Sequence, residues 1–134
     1  MRNILTILFV LSTLLVSSQV TQKDGAFIQL DKIVHDFESI EYGSVASCEF
    51  IITNTGNKPL NLTSCKGSCG CTVPTCNPIP ILPGQSYTMV VKYDSKREGV
   101  INKSVTIWSD AVSEPVKVVR IQGFVKPETY PLSK

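Results

Sequence analysis

Apolar and polar residues alternate along most of this chain, one position in and one position out. Residues 45–53 carry Cys48, Phe50 and Ile52 on one parity and Glu49, Ile51 and Thr53 on the other. Residues 87–93 place Tyr87, Met89, Val91 and Tyr93 together, and residues 100–108 do the same for Ile101, Val105 and Ile107. Residues 116–125 are rich in β-branched side chains, and shorter alternating runs fall at 27–30, 33–37 and 60–64. A period of two belongs to strands, whose side chains project to opposite faces in turn. Turn formers separate the runs, most densely in Asn54-Thr55-Gly56-Asn57-Lys58-Pro59 and again over 94–99. No window sustains a helical period. About seven short strands at this spacing predict an all-β fold, an antiparallel β-sandwich over residues 19–125. Its expected core is Phe37, Phe50, Ile52, Leu62, Met89, Val91, Val105, Ile107, Val119 and Ile121.

The two ends follow other patterns. Arg2 precedes an apolar run over 4–16 and then Ser17-Ser18-Gln19. A positive start, a short apolar stretch and small residues at the cut describe a secretory signal peptide, expected over residues 1–18. The run is too short to span a bilayer comfortably, and no later run reaches that length. The chain after cleavage is thus expected to be exported, periplasmic or secreted, with no membrane span. Residues 126–134 hold two prolines and no strand pattern, and are expected to form a short tail.

Charge removes several function classes. The 134 residues hold 13 Lys+Arg and 11 Asp+Glu, a formal net charge of +2, which is no basic face for nucleic acid. His35 is the one histidine, so a Ser-His-Asp triad or a His-rich metal site is hard to assemble. Asp36, Glu38 and Glu41 are near neighbours on one strand region and read as surface charges, not as a carboxylate pair across a cleft. No phosphate-cradling glycine loop is present, and no cofactor is implied.

The distinctive feature is C65-K-G-S-C-G-C-T-V-P-T-C76, four cysteines in twelve residues, followed by Pro78, Pro80 and Pro83. Residues 65–84 are expected to form a cross-linked loop at one end of the sandwich. Three readings stay open. Cys65, Cys69, Cys71 and Cys76 form two structural disulfides, as small exported domains do. They exchange with other thiols, a redox role with Lys66 as the one nearby cation. Or they hold zinc or copper(I), with a spacing unlike paired C-x-x-C sites. Cys69 and Cys71 sit two apart, and in an extended strand their Cα atoms approach the upper limit of disulfide geometry. Pairing each of them with Cys65 or Cys76 is the less strained expectation. Cys48 shares parity with Phe50 and Ile52 and is expected to be a buried free thiol, the alternative being a bond to a cluster cysteine or to another chain.

These residues also carry a family resemblance. The strings N54-T-G-N-K-P-L60, S68-C-G-C-T72, P80-I-L-P-G84, V91-K-Y-D94 with Gly99, and I121-Q-G-F-V125 resemble the secreted bacterial family called domain of unknown function 1573. His35-Asp36-Phe37 resembles that family's opening strand, with Glu38 where glycine is more usual. The resemblance implies an immunoglobulin-like sandwich of the major sperm protein and cilium-associated kind, and brings no activity, substrate or catalytic residue. The resulting expectation is an exported, non-enzymatic module that binds another protein of the bacterial cell envelope or stabilises a structure there. A thiol-redox or metal-binding role for the cysteine cluster is the alternative.

Overall fold

Eight strands form where the alternation marks them: β1 (Ile28–Leu30), β2 (Val34–Ile40), β3 (Ala46–Asn54), β4 (Leu62–Gly67), β5 (Thr72–Pro74), β6 (Ser86–Tyr93), β7 (Gly99–Ser109) and β8 (Val116–Val125). The computed structural model describes residues 24–129. The expected signal peptide, 1–18, lies outside the described residues, as does the tail beyond 129. Within that span there is no helix, and the strands stack as two four-stranded sheets, β1-β3-β6-β5 and β2-β8-β7-β4.

The core follows the pleat. Cys48, Phe50 and Ile52 of β3 stand opposite Val91, Met89 and Tyr87 of β6 in register. Ile101, Val105 and Ile107 of β7 and Val119, Ile121 and Val125 of β8 supply the facing surface, all buried. Alternation puts these residues on one side, and burying that side supplies the main driving force for stacking the sheets.

Four details differ from the expected fold. The strands number eight, because β5 forms inside the segment expected to be loop. The sandwich is not wholly antiparallel: β2 pairs with β8 in parallel. The long chain between them supplies the crossover that a parallel pair needs. Phe37 is half-buried, since β2 is an edge strand with one neighbour. Finally, the strand expected at 60–64 runs from Leu62 to Gly67, while Leu60 makes a separate bridge with Ile81.

β2 also bends. Its register against β8 shifts between Asp36 and Ser39. Glu38, in that shift, has φ 57°, in the left-handed region where glycine is at ease. Asp36 steadies the bend: Oδ1 accepts from Glu38 N at 2.7 Å and Oδ2 from Gln122 Nε2 at 2.8 Å. These two bonds hold the Asp36 carboxyl below the usual carboxylate range, the side-chain bond from Gln122 contributing most. Gly123 of β8 packs under the bend, where a Cβ would lie 3.0 Å from Glu38 O.

Candidate functional site

The cysteine cluster lies along one lateral edge of the sandwich, where β4 and β5 are the outermost strands of the two sheets. A one-residue irregularity puts Cys65 in place. The register of β4 against β7 shifts between Leu62 and Ser64. After the shift Cys65 stands opposite Ile107 and Gly67 opposite Val105, both partners buried core residues. Simple alternation from Leu62 would have sent Ser64 inward, so the bulge exchanges the faces. Cys65 then packs against the core and joins Cys76, with Cα atoms 5.5 Å apart. Cys76 follows β5, so this disulfide ties the edge strand of one sheet to the chain leaving the edge strand of the other.

Thr75 holds the chain beside Cys76. Its N–H donates to Val90 O at 2.8 Å, and its hydroxyl accepts from Val90 N at 3.0 Å. Tyr87 Oη donates to the same hydroxyl at 3.0 Å. The pairing within the cluster corrects the sequence expectation. Cys69 bonds to Cys71, with Cα atoms 5.2 Å apart. The expectation assumed an extended strand at these positions. They lie instead in the turn between β4 and β5, closed by Thr72 N donating to Cys69 O at 3.2 Å. The bend removes the distance that disfavoured the pair.

The cluster's sulfurs are joined in pairs and offer no thiolate to zinc or copper(I); a metal role requires the bridges to open first. Among the described residues no group of three His, Cys, Asp or Glu side chains is arranged to hold a metal ion. Cys48 takes part in neither bridge. It is 5% exposed in the β3 inner face, and burial pushes its thiol up to about 11. A thiol so placed packs as a small apolar group. His35 lies on β2 with its ring edge-on to Phe37, centroids 4.7 Å apart. Burial pushes its imidazole down, and Lys32 adds to that while Asp36 opposes it. Both oxygens of Asp36 are engaged elsewhere, by Glu38 and Gln122. A groove of about 400 Å³ lined by Glu41, Tyr42, Pro127, Glu128 and Thr129 contains no member of the cysteine cluster.

Sequence reasoning missed the residue that anchors the segment after the cluster. Asn54 is fully buried at the end of β3. Its Nδ2 donates to Lys58 O at 2.7 Å and Ile81 O at 2.9 Å. Its Oδ1 accepts from Gly56 N at 2.9 Å and Phe27 N at 3.4 Å. The string containing it reads only as a turn, because its distant partner Ile81 is brought alongside by tertiary packing. Ile81 itself is buried, pinning a segment whose neighbours Ile79 and Leu82 remain 68% and 48% exposed.

A family described as "Protein of unknown function (DUF1573)" matches residues 28–125. The chain belongs to this family. The matched DUF1573 region begins with β1 and ends with β8, so it takes in both sheets and the cysteine cluster. Among solved structures, a protein of unknown function from Porphyromonas gingivalis W83 superposes with a TM-score of 0.67 at 17% identity, covering 79% of this chain and 50% of that one. The chain thus spans half the length of that protein. The ASH / PapD-like domain of human CEP192 gives a TM-score of 0.63 at 8% identity, covering 75% of this chain and 87% of that domain. The VesB protease of Vibrio cholerae gives 0.60 at 16% identity, over 72% of this chain and 31% of the protease. At these identities the likenesses establish the fold alone, an immunoglobulin-like sandwich of two sheets. No curated protein matches the chain.

Proposed function

We propose that this DUF1573 chain is an exported, non-enzymatic binding module that presents its cross-linked edge to another protein of the cell envelope. The observation that carries the reading is the segment from β5 to the Pro-Gly turn. Two buried anchors, Ile81 and Asn54, and the Cys65–Cys76 bridge hold it, while Val73, Ile79 and Leu82 are 57%, 68% and 48% exposed. Apolar side chains on a rigid frame lose little conformational entropy when a partner covers them. Pro78, Pro80 and Pro83 restrict the same stretch further. Disulfides persist in oxidising compartments, which agrees with export.

The experiment is affinity capture from a cell-envelope extract with quantitative mass spectrometry. An Ile79→Asp/Leu82→Asp double variant should lose the proteins that the unmodified protein enriches. Val45→Asp should keep them, since Val45 is 94% exposed and lies outside this segment. Equal enrichment by the double variant, or equal loss with Val45→Asp, overturns the reading.

A further inference from the structure

The turn between β4 and β5 holds a disulfide on which its own framework does not depend. Ser68 N donates to Ser104 O at 2.8 Å, and Asp94 N donates to Cys71 O at 2.9 Å. Ser104 N donates in return to Ser68 Oγ at 3.1 Å, and Thr72 N closes the turn on Cys69 O. Gly67 and Thr72 are in such close approach that a Cβ on Gly67 would lie 2.0 Å from Thr72 O. The covalent tie between the two sheets at this edge is the other bridge, Cys65–Cys76. Opening Cys69–Cys71 therefore frees no strand and releases no loop. In the unfolded chain it closes only the short stretch Cys69-Gly70-Cys71, so it constrains that state far less than a bridge of sequence separation 11.

The two sulfurs also have different surroundings. Cys71 is 3% exposed, whereas Cys69 is only half-buried. The Thr72 hydroxyl is itself buried and lies 3.7 Å from both sulfurs. It is placed to donate to a thiolate left on Cys71, and an incoming thiolate reaches Cys69 more readily.

We propose that Cys69–Cys71 is a reversible dithiol–disulfide couple that exchanges with an external dithiol while the sandwich stays folded. One thiolate of the dithiol attacks Cys69 Sγ. The Cys69–Cys71 bond breaks, and its electron pair leaves on Cys71 Sγ, which takes up a proton. The second thiol of the donor loses its proton and attacks the donor sulfur of the mixed disulfide. Cys69 leaves as a thiolate and is protonated, and the donor departs as a disulfide. Two electrons and two protons have passed to the protein. The couple does not depend on the protein-contact reading, because Ile79 and Leu82 take no part in it.

The test is graded reduction of the folded protein with dithiothreitol, followed by acid quench, alkylation and peptide mass mapping. Cys69 and Cys71 should become alkylated together at about tenfold less reductant than opens Cys65–Cys76. Trp108 fluorescence should not change, and removal of reductant under air should restore the bond. Simultaneous opening of both bridges, or opening of Cys69–Cys71 only as the fold is lost, overturns the proposal. The direction of attack has its own test with an aromatic disulfide reagent. Cys69 in a Cys71→Ser variant should react about tenfold faster than Cys71 in a Cys69→Ser variant, following access. Equal or reversed rates overturn that assignment, and the wild-type reduction decides the couple even if a variant does not fold.

Discussion

Asn54→Ala should be among the most destabilising single polar substitutions in the molecule. The amide is fully buried and joins three stretches of chain: the approach to β1, the turn after β3, and the segment around Ile81. Three of its four hydrogen bonds are 2.9 Å or shorter. At about 1 kcal/mol each, with a further penalty for buried groups left unpaired, their loss amounts to roughly 3–5 kcal/mol. Ile81 O keeps its bond from Leu60 N, 2.9 Å, which places the estimate nearer the lower figure. For a domain of this size that shift lowers Tm by roughly 12–25 °C. Asn54→Asp should be worse near neutral pH, because a carboxylate would face the Lys58 and Ile81 carbonyls. It should recover in part at acid pH, where the protonated carboxyl can donate to one of them. A carboxyl placed this way has a raised folded-state pKa, so the variant loses stability as pH rises through that pKa. The assay is urea unfolding followed by Trp108, the one tryptophan, on β7. A midpoint shift at constant m-value isolates stability from compactness. A loss below about 1 kcal/mol for Asn54→Ala, or wild-type stability for Asn54→Asp at neutral pH, would refute the account of Asn54 as an anchor.

Two further outcomes follow from the cysteines. Removing the Cys65–Cys76 bridge with a double Ala variant should cost about 3 kcal/mol, from its sequence separation of 11, read by the same unfolding assay; a loss under about 1 kcal/mol would show that the bridge does not constrain the unfolded chain. Burial pushes the Cys48 thiol up to about 11, well above the ordinary thiol range. Its folded-state pKa is raised, so its contribution is full below pH 9 and is lost as pH rises towards 11. Wild type should therefore lose about 2–3 kcal/mol more than Cys48→Ala across that window in pH-dependent unfolding, whatever the Ala variant's offset from its cavity. Parallel pH profiles for the two proteins would contradict this.

Much of the architecture was legible in residue order. Alternation in 45–53, 87–93, 100–108 and 116–125 corresponds to β3, β6, β7 and β8, each with bounds moved by at most one residue. These are long strands with one buried face, and a strict two-residue period leaves little freedom in where they begin or which side turns inward. The short strands were less legible. β5 is three residues long and ends in proline, too little for a periodic signal. β2 lost its pattern at Glu38, where a left-handed residue interrupts the pleat. The family resemblance had marked that position as one where glycine is more usual.

The candidate site divides along the same line. Clustered cysteines, interleaved glycines and following prolines were visible as a cross-linked segment, because composition alone carries that information. Their pairing was not. It depended on the bulge that turns Cys65 to the interior and on the turn that draws Cys69 to Cys71. Neither device leaves a periodic trace, since each is defined by where a neighbouring strand lies. Asn54 makes the same point for polar residues. Its identity suits a turn, but its role comes from Ile81, twenty-seven positions away, which only the folded chain sets beside it. Residue order by itself determined that this chain forms a two-sheet sandwich and which faces of its long strands are buried, because burial imposes the period. The tertiary structure alone decided the edge: which strands end the sheets, which sulfurs meet and which apolar side chains stay uncovered, because those depend on contacts between residues that sequence distance does not relate.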